Sequence, residues 1–168
     1  MYNKQRKSIR LPFECYNEQG LFFVTLCSKN RDELFGEIIA EDGVLDVPNV
    51  TLSRFGKVVE KYIIQMQDFY DNIRIEYFVI MPNHVHMIIN VLYDEVNKES
   101  IGSSGTPTPT NTVVSCFVST FKRFCNREIG ENIWQRSFHD HIIRNDKDLD
   151  RHVEYIINNP LNWDLDKE

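Results

Sequence analysis

The sequence lacks long hydrophobic runs, and it lacks the closely spaced cysteine pairs that are typical of zinc sites. No apolar stretch among its 168 residues approaches the roughly 20 residues that a membrane-spanning helix needs. The basic N-terminus is not followed by an apolar signal region, so we expect a cytoplasmic protein. The four cysteines form no Cys-x-x-Cys pair, which favours reduced, mostly buried thiols over a metal site or a disulfide framework.

Positive charge is also scarce. The chain has 19 Lys and Arg against 25 Asp and Glu, for a net charge of −6. This balance argues against a protein that coats duplex DNA by neutralising many phosphates. Two local basic clusters remain, one near the N-terminus and one on a predicted helix: Lys4, Arg6, Lys7 and Arg10, and Lys122, Arg123 and Arg127. Composition alone does not separate a nucleic-acid contact from a solvated surface at either cluster.

The length and the hydrophobic content of 42% suit a single domain with a full core, spanning residues 1–168. A segment at about residues 94–111 is rich in Gly, Ser, Thr and Pro, and it predicts a flexible surface loop. Too little chain lies on either side of this loop for two independent cores, so it is not expected to be a domain boundary.

The hydrophobic pattern predicts an alternation of strands and helices. Aromatic and β-branched stretches predict four strands, at 21–27, 73–80, 84–92 and within 133–144. Helical spacing of apolar residues predicts helices at about 51–67 and 112–127, and Asn145 or Asp146 can cap a last helix. This order predicts an α+β, ferredoxin-like fold: a four-stranded antiparallel sheet with two helices on one face and an added C-terminal helix.

Two histidines in an aliphatic run give the strongest functional signal. His84 and His86 alternate with apolar residues, so both imidazoles stand on one face of a strand, with Cα atoms roughly 6.6 Å apart. Paired imidazoles at that spacing can bind one metal ion. A His-x-His pair by itself is often incidental, and a rival pair, His139 and His141, also falls in a predicted strand.

The last predicted helix carries an apolar stripe and, next to it, a stripe that contains Tyr155 and Asn159. A divalent cation held by His84, His86 and Asn159 would polarise a phosphodiester, which Tyr155 could then attack to form a covalent phosphotyrosine. His152, one turn before the tyrosine, could shuttle a proton. Oxygen ligands suit Mg²⁺, whereas paired imidazoles favour Mn²⁺ and heavier ions.

These motifs resemble those of a known family. Met81–His86 resembles the HUH motif (His, hydrophobic, His) of the single-tyrosine, IS200-like transposases. Tyr155–Pro160 resembles the tyrosine motif of their REP-associated tyrosine transposase branch. Further matches extend the resemblance over about residues 6–164: Gly20–Thr25 with Leu34–Gly36, and Phe121–Lys122 with Trp134–Arg144.

The resemblance implies a ferredoxin-like HUH endonuclease that cleaves and transfers single-stranded DNA, often presented as a hairpin. It implies that Tyr155 forms a 5′-phosphotyrosine and releases a 3′-OH. It also implies that His84, His86 and Asn159 hold a divalent metal, Mg²⁺ or Mn²⁺. We expect DNA contacts from a set of basic residues, and support near the site from two further histidines: Arg6, Lys7, Arg10, Lys122, Arg123 and Arg136, and His141 and His152. A homodimer stays open, because related transposases exchange their tyrosine helices whereas members of this branch can act as monomers.

Two other functions compete with this hypothesis. One is a domesticated protein that keeps the fold and binds DNA or RNA hairpins without cleaving them. The other is a small ferredoxin-like regulatory or ligand-binding domain in which the histidine pair is incidental.

Overall fold

The computed structural model describes residues 19–39, 49–92 and 112–163. In this part of the chain it contains six strands: β1 (Gly20–Cys27), β2 (Gly36–Ile39), β3 (Asn49–Leu52), β4 (Ile73–Met81), β5 (His84–Val91) and β6 (His139–Ile143). The same part contains three α-helices: α1 (Arg54–Gln65), α2 (Val113–Ile129) and α3 (Asp146–Asn158). Short 3₁₀ helices occupy Lys29–Arg31 and Met66–Asp68.

Four of the strands form one antiparallel sheet in the order β4-β5-β1-β6, so that β5 and β1 lie in the centre. Along the chain the elements run β1-α1-β4-β5-α2-β6, which is the ferredoxin-like arrangement. The predicted α+β fold is therefore confirmed, including the added C-terminal helix. The strands β2 and β3 form a separate two-stranded hairpin, which the sequence analysis did not predict.

One face of the sheet carries the main core. Alternate residues of β1 and β5 point into it, and aromatic residues of α2 fill it from the other side. Members of this core include Val24, Val85, Met87, Phe117 and Phe121. Because strand side chains alternate, the intervening residues of β1 and β5 stand on the opposite face.

Helix α1 begins later than predicted. Residues 49–52 pair with β2, and the Ser53 side chain accepts hydrogen bonds from the backbone N–H groups of Phe55 and Gly56, which caps the helix. A Cβ atom at Gly56 would collide with the carbonyl oxygen of Phe35, so the first turn of α1 packs directly on backbone. The predicted helix at 112–127 extends to Ile129 and ends at Gly130, which is left-handed with φ 92°.

Helix α3 packs on the second face of the sheet, over β4 and β5. Asn145 caps it, as predicted, by accepting from the backbone N–H of Asp148. A small apolar cluster of Ile88, Ile143 and Ile156 holds it in place. The second face of the sheet is therefore partly covered, and the covering helix is the one that carries the tyrosine.

Several predictions fall outside the described residues: the loop at about residues 94–111, and the basic residues Arg6, Lys7 and Arg10. Cys27 and Cys125 are buried free thiols, and Cys116 is an exposed one. Across the described ranges, every helix is too short or too polar to span a bilayer.

Candidate active site

The histidine pair lies on β5, on the sheet face opposite the main core. His84 and His86 are only 7% and 4% exposed, and their ring centroids are 4.5 Å apart. The β4–β5 hairpin and the pairing with β1 set this arrangement, because they place His84 beside Cys27 and His86 beside Thr25. The prediction that both imidazoles share one face is confirmed.

Hydrogen bonds to Nδ1 fix how each ring can be used. The side-chain oxygen of Asn83 lies 2.7 Å from Nδ1 of His84, and the hydroxyl of Thr25 lies 2.9 Å from Nδ1 of His86. An amide oxygen only accepts, so Nδ1 of His84 carries the proton and Nε2 keeps its lone pair. In the same tautomer of His86, Nδ1–H donates to the Thr25 hydroxyl. Nε2 of His86 then keeps its lone pair and can serve as a metal ligand.

Burial keeps His86 neutral. Its burial, reinforced by the neighbouring His84 and His152, lowers the pKa of His86 to about 3. Its Nε2 atom is buried and has no hydrogen-bond partner among the described residues. A neutral, buried imidazole nitrogen without a partner is suited to a metal ion.

Helix α3 and the turn after it run alongside the histidine pair. The ring of Tyr155 lies 5.2 Å from the ring of His86, and the ring of Trp163 lies 6.0 Å from that of His84. Tyr155 is 40% exposed, so its side chain is not sealed off from a substrate. The structure thus brings Tyr155 to the histidine pair, as the sequence analysis expected, and adds Trp163, which it did not name.

Asn159 lies between these two contacts, four residues after Tyr155 and four before Trp163. Its backbone remains helical, with φ −57° and ψ −43°, and the residue is fully buried. Neither Oδ1 nor Nδ2 of this amide has a hydrogen-bond partner among the described residues. A buried amide without partners costs about 1–3 kcal/mol, so an unsatisfied amide one turn after Tyr155, which contacts His86, fits a metal ligand better than a packing residue.

A cavity opens in front of the pair. Besides His84, His86 and Tyr155, it is lined by six further residues: Thr25, Cys27, Arg31, Asn83, His139 and Trp163. The sequence analysis assigned no role to Arg31 or Thr25. The sequence offers no signal for either, because their positions depend on the register between β1 and β5 and on the turn that follows β1.

The two histidines of the rival pair, His139 and His141, make different contacts. His139 and His141 share the sheet face with His86 but lie on β6, with β1 in between. His139 lines the cavity, whereas Nε2 of His141 lies 2.8 Å from a carboxylate oxygen of Asp148. The two rings therefore do not face one shared ligand position.

His141, Asp148 and His152 form a second group that could hold a metal, since their ligand atoms all lie within 4.8 Å of one another. Protein contacts already occupy this group: Asp148 also accepts from Arg151, and Nδ1 of His152 lies 2.8 Å from the Asp148 carbonyl oxygen. The bond from His141, followed by that from Arg151, lowers the pKa of Asp148 to about 2. We call the His141–Asp148 contact the clasp, because it ties the first turn of α3 to β6.

The remaining basic candidates lie elsewhere. The ammonium group of Lys122 donates to the carbonyl oxygens of Gln135 and Ser137, at 2.7 and 2.9 Å, so it holds the segment after α2. Arg123 and Arg136 are exposed. Lys122 and Arg136 line a separate surface cavity, and their contact with DNA stays a prediction.

Comparison with known proteins gives relatives over nearly the full chain. An uncharacterized protein of Haemophilus influenzae is 33% identical over 96% of this chain and 92% of its own length. A second protein of that organism, described as a "Putative REP-associated tyrosine transposase", is 27% identical over 87% of this chain and 73% of its own length. No protein-family model matches the chain.

A solved structure of a REP-associated tyrosine transposase bound to a REP hairpin has the same fold, with a TM-score of 0.60. It is 23% identical, and the match covers 96% of this chain and 74% of the solved one. The resemblance stated from the sequence motifs is thereby confirmed.

Proposed function

We propose that this chain, which is similar to a putative REP-associated tyrosine transposase, is a member of that family and cleaves and rejoins single-stranded DNA through Tyr155. One observation carries the proposal: the ring of Tyr155, which is 40% exposed, lies 5.2 Å from that of His86, whose buried Nε2 has no hydrogen-bond partner among the described residues. Hairpin DNA is the proposed substrate, because the solved relative of this fold is bound to a hairpin.

His84, His86 and Asn159 are the residues that would hold the metal. Two imidazoles and one amide are neutral ligands, so they do not offset the charge of a divalent ion. Three protein ligands also leave coordination positions for phosphate oxygens and water. When bound there, Mg²⁺ or Mn²⁺ would polarise the phosphodiester and offset charge on its oxygens. Asn83 and Thr25 would orient the two rings through Nδ1.

Tyr155 supplies the nucleophile. Its hydroxyl oxygen forms a bond to phosphorus, the bond from phosphorus to the 3′ oxygen breaks, and that oxygen takes up a proton to become a 3′-OH. The phenol proton is lost in the same step, and we assign its uptake to His152, which lines a cavity with Tyr155. The 5′-phosphotyrosine keeps the energy of the broken bond, so attack by another 3′-OH can rejoin the strand without ATP.

A covalent-adduct assay tests this function. Wild type, Tyr155→Phe and Tyr77→Phe are incubated with pooled single-stranded hairpin oligonucleotides in Mn²⁺ or EDTA, then resolved on a denaturing gel. Tyr77 is a matched control, because it is 43% exposed on β4 and is not among the residues that line the cavity of the histidine pair. We expect an adduct with wild type and Tyr77→Phe in Mn²⁺, and none with Tyr155→Phe or in EDTA.

Hairpin binding without an adduct, unaffected by EDTA and by Tyr155→Phe, would contradict the proposal and support the non-catalytic binder. Absence of an adduct, of hairpin binding and of metal binding together would support the regulatory domain.

A further inference from the structure

A short turn places one arginine among the residues that line the cavity. Strand β1 ends at Cys27, which pairs with His84, and the chain then turns through the 3₁₀ segment Lys29–Arg31. Arg31 lines the cavity together with Tyr155 and the histidine pair. The turn after β1 therefore borders the position where a phosphate would bind.

The backbone of this turn is held in a conformation that arginine disfavours. Asn30 and Arg31 have φ values of 58° and 61°, in the left-handed region where a side chain other than glycine costs free energy. Asparagine tolerates this region, but arginine has no such preference. Arginine at this position is therefore not explained by the needs of the turn.

Neighbouring backbone imposes the conformation. Ser28 N–H donates to the carbonyl oxygen of Asn83 at 2.9 Å, and Lys29 N–H donates to that of Ile133 at 2.8 Å. The N–H of Arg31 closes the turn on the Ser28 carbonyl at 3.2 Å. The turn is thus bonded to Asn83, the same residue that orients His84. This connection fixes the position of the Arg31 backbone relative to the histidine pair.

The guanidinium group adds the charge that this cavity otherwise lacks. Among the described residues that line it, Arg31 is the one with a permanent positive charge. Within those same ranges, no carboxylate pairs with it, although acidic residues outnumber basic ones in the chain. A guanidinium that is exposed, has no ion-pair partner among the described residues and lines the same cavity as the tyrosine is available to a phosphate, whose two oxygens match its fork.

We propose that Arg31 is a further catalytic residue, which binds a non-bridging oxygen of the scissile phosphate and stabilises the charge that develops as Tyr155 attacks. This inference rests on the proposed tyrosine chemistry. It assigns Arg31 to transition-state stabilisation and leaves metal binding to the histidines and Asn159.

The test uses Arg31→Gly, Arg31→Lys and the control Lys29→Gly. Glycine adopts positive φ without strain, so Arg31→Gly removes the guanidinium while the turn is kept or stabilised. Lys29→Gly removes a cation from the same turn, at a position that is not among the described lining residues of the cavity. Single-turnover adduct formation with a cleavable hairpin is measured in Mn²⁺ across hairpin concentrations, with Mn²⁺ affinity by calorimetry and thermal unfolding alongside.

At saturating hairpin we expect Arg31→Gly to slow adduct formation roughly 100-fold, within the range seen when one stabilising donor is removed. Mn²⁺ affinity and the unfolding temperature should not fall, Lys29→Gly should behave as wild type, and Arg31→Lys should recover part of the rate. An Arg31→Gly rate equal to that of wild type overturns the inference, and so does a parallel loss of Mn²⁺ binding. Because wild type and Tyr155→Phe are run beside these variants, a missing wild-type adduct would instead overturn the proposed function, and this inference with it.

Discussion

Replacing Asn159 by leucine should stabilise the metal-free protein while it abolishes metal binding. The amide is fully buried, and neither of its polar atoms has a partner among the described residues. Leucine has a similar volume and removes both polar atoms, so we expect a gain of about 1–2 kcal/mol from the desolvation cost that disappears. For a chain of 168 residues this gain corresponds to a rise in Tm of roughly 3–6 °C.

Bound metal should make wild type the more stable of the two proteins. At a Mn²⁺ concentration of about 100 times Kd, wild type should gain about 2.7 kcal/mol, whereas Asn159→Leu should gain little because a ligand is missing. Thermal unfolding in EDTA and in Mn²⁺ measures both effects, with Asn158→Leu as the control. Asn158 is the half-buried neighbour on the same helix, so its replacement should change stability little and leave the Mn²⁺ effect intact.

Two results would refute this reasoning. A metal-free Asn159→Leu protein that is less stable than wild type by more than about 1 kcal/mol would show that the amide already makes favourable contacts. Equal stabilisation of both proteins by Mn²⁺ would show that Asn159 is not a ligand.

Three further predictions concern the surroundings of the site. Thr25→Val keeps the side-chain shape but loses the hydroxyl at Nδ1 of His86, so Mn²⁺ affinity measured by calorimetry should fall about 10-fold; an unchanged affinity would mean that this bond does not orient the ring. Burial lowers the pKa of His86 to about 3 in the folded protein, whereas a histidine in the unfolded chain has a pKa of about 6.5. Between these two pH values the unfolded chain binds a proton at His86 and the folded protein does not. In EDTA, the free energy of unfolding should therefore decrease as pH falls from 6.5 toward 3, by up to about 1.4 kcal/mol per unit, and urea titrations of His86→Gln should show a shallower slope. Gly56→Ala places a methyl group against the Phe35 carbonyl and should destabilise by about 2 kcal/mol or more, and an unchanged urea midpoint would show that α1 can shift away.

The main sheet and its two covering helices could be predicted because each has a clear hydrophobic period. Residues 84–91 alternate between two buried faces, and the apolar residues of α2 recur at helical spacing. Residues typical of helix ends were equally informative: Asn145 caps the start of α3, and Gly130 follows the end of α2. These signals are local, and a single sequence contains them in full.

The β2–β3 hairpin could not be predicted in the same way. Its strands have four residues each and pair only with each other, so neither carries enough alternation to stand out from a mixed loop. The predicted start of α1 was wrong for the same reason, since residues 51 and 52 fit the helical spacing but are held in β3. Pairing with a distant strand overrides local propensity there.

Within the site, the predicted residues were those whose chemistry is unusual for their surroundings. Histidines in an aliphatic strand and an asparagine before a proline can be noticed in a sequence, whereas Thr25 and Arg31 look ordinary. Their roles depend on which strand lies beside β5 and on how the chain turns after β1. Such relations come from tertiary structure and leave no local pattern.

Strand β5, which carries the histidine pair, is held by more contacts than helix α3, which carries Tyr155 and Asn159. The histidine pair lies on a central strand with a partner on each side, whereas α3 is held by a small apolar cluster and the clasp. Local opening is easier where fewer apolar groups are buried, so α3 should open more often than β5. If Asn159 is the third ligand, a bound ion connects α3 to the sheet, and Mn²⁺ should slow hydrogen exchange in α3 much more than in β5. Equal slowing in both elements, or none in α3, would show that the ion does not connect them and that Tyr155 is positioned by packing alone.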